Sequence, residues 1–307
     1  MELDSVYRTY RPLLLSIAYR MLGSVTQAED LVQDAFVTIQ QTGSDKDGGP
    51  IRNMKSYLCK IVTNRSLDYL KSPRNTRELY VGPWLPEPLV QHYAGEAVST
   101  SAAGQDPLQT VVLEDSISYA FLVLLQQLTP VERAVFILRE AFEFDYRDIA
   151  DFVNKTEAGC RKIYSRLRHK IQAEPPAELA SSPQSERLVL RFLHAAATGD
   201  MEGLLSLLSE DIVLYSDGGG KVTAAIRPIA SSQRVLAFIQ GLISKGGGAE
   251  SVRLVLINGQ PGFVLSSPSE PFPTIVSLAC RDNRVQEIYL VRNPDKLQHL
   301  NLGPDHE

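Results

Sequence analysis

The stretch of sequence that decides the fold spans residues 128–170 and runs LTPVERAVFILREAFEFDYRDIADFVNKTEAGCRKIYSRLRHK. Near its start, Thr129 and Glu132 have the spacing of a capping box, in which two side chains satisfy backbone N–H groups at the beginning of a helix. Apolar residues then recur at helical spacing and predict helices over residues 131–142 and 146–153. A tight turn and a further helix follow, and this order is typical of a helix-turn-helix.

The turn, at Asn154 and Lys155, leads into a strongly basic helix that begins at about residue 156. Lysine and arginine attract phosphate, so this helix predicts binding to a nucleic acid. In a helix-turn-helix, the N-terminal half of the second helix reaches base edges, and other residues hold phosphates. We therefore expect base contacts from Glu157, Arg161, Lys162 and Ser165, and phosphate contacts from Arg166, Arg168 and Lys170.

Upstream of this stretch, residues 5–72 also have helical periodicity. Gly23 lies where a first helix needs a left-handed C-cap. Thr26 and Glu29 have the spacing of a second capping box and predict the start of the next helix. A Gly- and Asp-rich loop breaks that helix, and a third helix is predicted over residues 54–71.

Between the two helical parts, residues 76–112 are rich in Pro, Gly and Ser and have no sustained period, which predicts a linker. The only tryptophan of the chain, Trp84, lies in the sequence GPWLPEP within this segment. We expect such a rigid aromatic segment to dock on another part of the protein.

After residue 185 the pattern changes to a mixture of helices and strands. Helices are predicted over residues 186–198 and 201–208, and later strands alternate around two-residue turns at residues 258–259 and 282–283. Helices followed by an antiparallel meander predict an α+β architecture.

The composition excludes several classes of protein. Of the 307 residues, 44% are hydrophobic and 22% charged, as in globular proteins, and the net charge of −5 speaks against a protein held to nucleic acid by charge alone. Cys59, Cys160 and Cys280 are far apart, so we expect neither a disulfide framework nor a metal or other cofactor. No positively charged leader and no run of about 18 apolar residues is present, which predicts a cytoplasmic protein without a membrane span.

Several motifs, in this order and spacing, resemble a known family. Residues 19–23 (YRMLG) and 28–36 (AEDLVQDAF) resemble region 2 of the extracytoplasmic-function sigma factors of bacterial RNA polymerase. Residues 128–136 (LTPVERAVF) and 148–150 (DIA) resemble region 4 of the same family. Three further motifs resemble the subgroup with a fused SnoaL-like domain: residues 84–88 (WLPEP), 217–221 (DGGGK) and 293–297 (NPDKL).

The resemblance implies a multidomain protein. Its parts would be an all-α sigma region 2 at residues 1–75, a linker at 76–112, a helix-turn-helix sigma region 4 at 113–173, and an α+β, cone-shaped SnoaL/NTF2-like regulatory domain at 185–307. The implied function is transcription initiation and not catalysis. The implied partners are core RNA polymerase, through its β′ coiled coil and β flap, and the minus-ten and minus-thirty-five elements of promoter DNA.

The same resemblance assigns roles to residues of region 2. The positions that match the polymerase-binding residues are Asp30, Gln33, Asp34 and Phe36, with Phe36 as an aromatic anchor. By spacing alone, an alternative in which Phe36 is a core residue and the acids form only a solvated face is equally favoured. In related sigma factors, a base leaves the DNA stack and is captured beneath the loop that corresponds to residues 43–52. The nearby DNA-binding residues would be Lys60, Asn64, Arg65 and Lys71.

In the subgroup with the fused domain, the linker, the glycine turn and the C-terminal motif tune sigma activity in cis. The matching residues are Trp84, Pro86, Glu87, Pro88, Asp217, Gly218, Gly219, Gly220, Lys221, Asn293, Pro294, Asp295, Lys296 and Leu297. Successive glycines permit close approach by another segment, and we expect the linker around Trp84 to pack there.

The sequence leaves two other classes of function as alternatives. A helix-turn-helix repressor would explain residues 130–172 but not the capped helices that precede them. The second alternative is a bifunctional protein whose C-terminal domain binds an unknown small ligand or acts as an isomerase or cyclase. Its candidate acids and bases are His194, Asp211, Asp217 and Asp282, although these four form no convincing pair in the sequence.

Overall fold

The structure is a computed structural model that describes residues 3–42, 51, 53–72, 80–92, 117–173, 183–244, 251–267 and 270–300. The chain divides into two compact units. The first, which we call the helical unit, comprises Met1–Thr76, Ala103–Asp115 and Leu122–Pro175. The second, the sheet unit, comprises Arg77–Ala102, Ser116–Phe121 and Pro176–Glu307.

Helices make up the described secondary structure of the helical unit. Three N-terminal helices pack against one another through buried apolar side chains such as Leu14, Ile17 and Leu58. A second set packs around Phe136 and Phe152. In chain order the helices are α1 Leu3–Leu22, α2 Val25–Thr42, α3 Met54–Lys71, α4 Tyr119–Gln126, α5 Pro130–Glu140, α6 Tyr146–Val153 and α7 Glu157–Ala173. The assignment of the chain changes from the sheet unit to the helical unit within α4.

The junction between α1 and α2 confirms one sequence prediction and corrects another. Gly23 has a φ of 69° and its N–H donates to the Tyr19 carbonyl, so it is the predicted left-handed cap. The side chain that accepts a backbone N–H at the start of α2 is Ser24, from Gln27 at 3.3 Å, and not Thr26. The prediction was wrong because the helix resumes immediately after Gly23, which places Thr26 inside its first turn.

Local sequence signals fix the helix-turn-helix. The Thr129 side chain accepts from the Glu132 N–H, and the Glu132 carboxylate accepts from the Thr129 N–H, so the capping box is confirmed. Asn154 ends α6 in the left-handed conformation, with a φ of 53°. α6 and α7 therefore lie on either side of the predicted turn.

The sheet unit combines helices with one sheet. Its described elements after the linker are α8 Pro183–Thr198, α9 Met201–Leu207, β2 Leu208–Asp217, β3 Ile229–Ala230, α10 Ser232–Ser244, β4 Ser251–Ile257, β5 Gln260–Ser266, β6 Thr274–Arg281 and β7 Arg284–Val291, followed by a short 3-10 helix Pro294–Lys296. The two strand-joining turns have left-handed residues at both central positions, as predicted for Asn258-Gly259 and Asp282-Asn283. The predicted fold class, helices first and an α+β domain second, is confirmed.

Among the described residues, seven strands form the sheet in the order β1-β4-β5-β6-β7-β2-β3, where β1 is Val90–His92. β2 and β7 are parallel, and the other neighbours are antiparallel. Because side chains alternate along a strand, the sheet has two distinct faces. The core face carries Leu214, Phe263, Val276, Ile288 and Leu290, which pack with residues of α8, α9 and α10.

The opposite face, which we call the linker face, is also buried. Its apolar residues alternate with those of the core face and include Val255, Ile257, Val264, Ile275, Tyr289 and Val291. Part of its cover comes from the segment predicted as a linker. Residues 80–92 belong to the sheet unit, and β1 Val90–His92 pairs with β4 as an additional edge strand. This strand was not predicted, because three residues in a Pro-rich segment give no period to detect.

No helix in the described part of the chain is long and apolar enough to cross a membrane.

Candidate functional sites: an exposed stripe, a basic helix and a linker latch

The predicted polymerase-binding residues divide into an exposed stripe and one core residue. Asp30, Gln33 and Asp34 are exposed on α2 at helical spacing. Phe36 is only 6% exposed and packs edge-on against Tyr7 at 4.8 Å, which is the core role that the sequence left open beside an aromatic anchor. Val37, which is 47% exposed, continues the stripe instead. The position of Val37, one helical turn beyond Gln33 and Asp34, could have placed it on the stripe from the sequence.

Two of the predicted DNA-binding residues of region 2 are held in ion pairs. Arg65 donates to Asp34 at 3.1 Å and to the Thr38 hydroxyl at 2.7 Å, which ties α3 to α2. Lys60 pairs with Asp151 of α6 at 2.8 Å. Asn64 is half-buried and Lys71 is exposed. The predicted base-capture loop, residues 43–52, lies outside the described residues apart from Ile51.

The basic helix α7 presents its charged residues to solvent. Cys160 and Leu167 are buried on its inner side. Tyr164 stacks with Phe136 of α5 and donates a hydrogen bond to Glu140. The outer side carries every residue predicted for DNA contact, all of them exposed: Glu157, Arg161, Lys162, Ser165, Arg166, Arg168 and Lys170.

Two of these residues are already oriented by neighbours. Arg161 pairs with Glu157 at 3.1 Å, and its guanidinium lies 4.8 Å from the centre of the Tyr146 ring. Arg166 pairs with Glu132, the acid of the capping box. Such exposed pairs contribute about 0–1 kcal/mol, so a phosphate can replace the carboxylate at little cost.

Inside the helical unit, Arg133 joins the two sets of helices. It is 2% exposed and donates to the Met21 carbonyl at the end of α1 and to the side chain of Gln126. A cation at a helix C-terminus is favoured by the helix dipole. The sequence placed Arg133 in a family motif, but its role as a cross-connection became visible only in the structure.

In the sheet unit, the linker is fastened at a cluster that we call the linker latch: Tyr80, Trp84, Asp217, Asn293 and Lys296. Asp217 ends β2 and is fully buried. Its carboxylate accepts from the Tyr80 hydroxyl at 2.5 Å and from the Leu85 N–H at 2.8 Å. Asn293 donates to the Tyr80 hydroxyl at 2.8 Å.

Lys296 supplies the positive charge of the latch. Its ammonium lies 2.6 Å from Asp217 Oδ2 and 2.5 Å from the Leu85 carbonyl oxygen. The same ammonium lies 4.1 Å from the centre of the Trp84 ring and 4.9 Å from that of Tyr80, both within the range of cation–π attraction. The Trp84 ring therefore holds the linker segment against a buried cation.

The glycine turn brings the linker and the C-terminal motif close together. Gly219 has a φ of 60°, and a Cβ there would collide with the Asn293 side chain. A Cβ at Gly220 would lie 3.2 Å from the Val81 side chain of the linker. Glycine at these two positions permits both the left-handed backbone and the close approach of the segments.

Burial raises the pKa of Tyr80 well above the usual range for tyrosine, and the hydrogen bond to Asp217 adds to this rise. The phenol is thereby kept protonated as a donor. Burial likewise raises the pKa of Tyr289, which stacks with Tyr215 and contacts Tyr119 on the linker face.

The remaining predicted regulatory residues surround the latch. Pro86, Glu87 and Pro88 are buried. The Pro86 carbonyl accepts from Tyr119, and the Pro88 carbonyl lies 3.0 Å from His299 Nε2. Leu297 is buried, and Pro294 is half-buried. Gly218 precedes the left-handed turn, and Lys221 pairs with Asp295 at the surface at 2.6 Å.

The candidate acids and bases of the C-terminal domain do not converge. His194 and Asp282 are exposed, Asp211 accepts from Ser209, and Asp217 belongs to the latch. None of these four lines the 360 Å³ cavity at the open end of the core face. Within the described residues, no group of three or more His, Cys, Asp or Glu side chains is arranged to hold a metal ion.

Comparisons with known proteins agree with this arrangement of helices and sheet. The family model of sigma-70 region 2 matches residues 6–76, and that of sigma-70 region 4 matches residues 118–171. The chain is 32% identical over 303 residues to the ECF RNA polymerase sigma factor SigJ of Mycobacterium tuberculosis, covering 95% of this chain and 92% of that protein. A probable ECF RNA polymerase sigma factor of the same organism, SigI, is 31% identical over 298 residues, covering 97% and 95% of the two chains.

The likeness extends to the three-dimensional structure. The crystal structure of Mycobacterium tuberculosis SigJ matches with a TM-score of 0.76 at 30% identity, covering 98% of this chain and all of that one. The exposed basic helix-turn-helix, the capped region 2 helices and the additional sheet unit therefore have one explanation. The chain belongs to the extracytoplasmic-function sigma factors, the family of proteins that bind RNA polymerase and direct it to promoters.

Proposed function

We propose that the sheet unit regulates this sigma factor in cis by holding the linker between region 2 and region 4. The observation that carries the proposal is the linker latch, in which Asp217 and Lys296 contact the Tyr80 and Trp84 side chains and the Leu85 backbone. A linker fastened in this way leaves less free chain between the two regions that contact polymerase and promoter. The latch thus sets how freely region 4 moves relative to region 2.

The proposed polymerase contact of region 2 is the exposed stripe of α2. Asp30, Gln33 and Asp34 offer acidic and amide groups to a basic helical partner, for which we propose the β′ coiled coil. Val37 supplies an apolar contact beside them, the role that the sequence assigned to Phe36. We assign the β flap to region 4.

The proposed promoter contacts follow from exposure and charge. α7 is suited to the major groove of the minus-thirty-five element, with Arg161 and Lys162 toward base edges and Arg168 and Lys170 toward phosphates. Region 2 is assigned to the minus-ten element. The Lys60 ammonium is already paired with Asp151 at 2.8 Å. Lys60 therefore contacts DNA there only after a phosphate has replaced the Asp151 carboxylate. Such a protein acts in the cytoplasm, together with the polymerase.

The test is run-off transcription with core RNA polymerase and the full-length protein, on several promoters that the protein activates. Trp84→Ala and Tyr80→Phe loosen the latch without altering α7. Both are expected to change transcript yield by the same factor on every promoter, because the latch acts on the linker and not on base contacts. Arg161→Ala is expected to change the ranking of the promoters.

Arg284→Met is the matched control, since it removes an exposed cation of the sheet unit outside the latch. Its yield should equal that of the unaltered protein. Unchanged yields with both Trp84→Ala and Tyr80→Phe would show that the latch has no regulatory role. The polymerase contact has its own readout, because Asp30→Arg should abolish co-purification with core polymerase whereas Asp282→Arg should not.

A further inference from the structure

A cavity of about 360 Å³ opens at the end of the core face, on the side of the sheet opposite the linker face. This volume lies within the range of pockets for small molecules, roughly 300–1,000 Å³. Its walls come from α10 and from the ends of β2, β5, β6 and β7. The large apolar side chains that line it are Phe238, Leu242, Leu265, Phe272 and Leu290.

The rim of the cavity exposes apolar surface to water. Leu242 is 40% exposed and Phe272 is 39% exposed, although both belong to the lining. When a ligand covers exposed apolar side chains at the mouth of a concave site, the burial of their surface stabilises the complex. The occupant therefore has a largely apolar body.

Among the residues that the structure describes, one cation lines the cavity and can fix the orientation of that body. The Arg292 guanidinium lines the cavity, donates to the Thr223 carbonyl at 2.5 Å and lies 3.4 Å from Glu270 Oε1. Glu270 is 47% exposed, and an ion pair of this kind contributes about 0–1 kcal/mol. A ligand carboxylate can displace it and gain a fork-shaped contact with the guanidinium.

The cavity and the linker latch share the same two strand ends. Along β2 Ser216 faces the cavity and Asp217 faces the latch, and beyond β7 Arg292 and Asn293 divide in the same way. The Arg292 N–H also donates to the Asp217 carbonyl at 2.8 Å. The backbone of Arg292 is therefore bonded directly to Asp217, a residue that holds the linker.

We propose that this cavity is a receptor site for a small apolar acid, whose carboxylate binds Arg292 and whose body lies against Phe238, Leu265 and Leu290. Binding shifts the ends of β2 and β7 and so changes the grip of the latch on Trp84. That this shift alters transcription rests on the proposed cis regulation. The proposed binding of a ligand in the cavity does not depend on that regulation.

The binding test uses two fluorescent probes with the full-length protein and without polymerase. Anilinonaphthalene sulfonate has an apolar body and an anionic group, and phenylnaphthylamine has the same body without charge. Wild type is expected to bind one equivalent of either probe. Arg292→Gln should weaken the sulfonate by at least about tenfold, the loss expected for one charge-assisted hydrogen bond, and leave the neutral probe unchanged.

Three further variants guard against a general loss of structure. Glu270→Gln removes the competing carboxylate and should tighten the sulfonate without affecting the neutral probe. Thr274→Phe fills the cavity and should weaken both probes. Arg227→Gln, an exposed cation outside the cavity, should match wild type with both. Equal affinity of the sulfonate for wild type, Thr274→Phe and Arg292→Gln would overturn the site.

The link to the latch has a separate readout in Trp84, the only tryptophan of the chain. Octanoate does not absorb where tryptophan does, so saturating octanoate should shift Trp84 emission in wild type but not in Thr274→Phe. Emission that does not respond to octanoate in wild type would overturn the link. Neither measurement involves polymerase, so failure here is distinguishable from failure of the transcription test.

Discussion

Lys296 and Asp217 carry opposite charges inside the sheet unit, with 7% and 0% of their side chains exposed. Removing two such groups from water costs several kcal/mol, and the cost is offset only where hydrogen bonds satisfy both. Here Asp217 has three further donors, from Tyr80, Leu85 and Gly219. Lys296 has the Leu85 carbonyl and the two aromatic rings. The buried pair is therefore stable only in this arrangement, because each charge needs the other groups of the latch as partners.

Loss of one member of this ion pair should destabilise the sheet unit. Lys296→Met leaves Asp217 as a buried charge without a cation, and we expect the free energy of unfolding to fall by about 3–5 kcal/mol. Urea unfolding followed by Trp84 fluorescence measures this change.

A double-mutant cycle separates the pair from the rest of the latch. Asp217→Asn combined with Lys296→Met should cost less than the sum of the two single variants, because the unpaired charge is gone. Arg284→Met is the control for the loss of an exposed cation. Strict additivity of the two substitutions would contradict the assigned pairing.

The stability of the sheet unit should also depend on alkaline pH through Tyr80. Folding raises the pKa of this phenol, through burial and the hydrogen bond to Asp217. Its contribution is thus complete below the ordinary pKa of tyrosine, about 10, and is lost as the pH rises above that value. Tyr80→Phe should lower the unfolding free energy at neutral pH and reduce its decline above about pH 10. Unfolding titrations at a series of pH values would test this, and an unchanged slope in Tyr80→Phe would contradict it.

At the scale of single elements, caps and turns follow from local sequence. The capping box at Thr129, the left-handed cap at Gly23 and the turn at Asn154 were predicted from residue type and spacing, because backbone geometry at these points depends on only a few neighbours. The prediction for Thr26 was wrong because α2 begins at Val25, so that Ser24 takes the cap position and Thr26 lies inside the first turn.

The capping box gives a prediction for α5. Thr129→Ala should lower the stability of the helical unit by about 1 kcal/mol at neutral pH. The pKa of Glu132 is lowered from 4.5, chiefly by its hydrogen bond with Thr129, so the stabilisation is present above that pH and is lost as the pH falls below it.

The effect of Thr129→Ala should therefore shrink in acid, which thermal unfolding at neutral and acidic pH would measure. Thr129→Ser keeps the hydroxyl and serves as the matched control. A loss that is the same at both pH values would show that the Glu132 carboxylate takes no part.

At the scale of the whole molecule, the sheet of the sheet unit carries buried apolar residues on both of its faces. Leu85 and Leu89 of the linker segment are each 1% exposed and lie in the sheet unit with the apolar linker face. The linker is thus part of a hydrophobic core and not a free connection.

Removal of the sheet strands should expose this surface. A chain that ends at residue 175 retains Leu85 and Leu89 but loses β2 to β7, and we expect it to self-associate in size-exclusion chromatography. The same chain with Leu85→Ser and Leu89→Ser is expected to elute as a monomer. Monomeric behaviour without these substitutions would contradict a core role for the linker.

The sequence by itself determined the helical regions, the helix-turn-helix with its basic outer side, the α+β class of the C-terminal part and the family. These features depend on periodicity, caps and turns, which act over a few residues. The tertiary structure decided that Phe36 is core and Val37 exposed, that Lys60 and Arg65 are paired, and that Lys296 joins Trp84 to Asp217. These outcomes depend on residues up to 212 positions apart in number, as Trp84 and Lys296 are, and no local pattern records which distant groups will share one buried site.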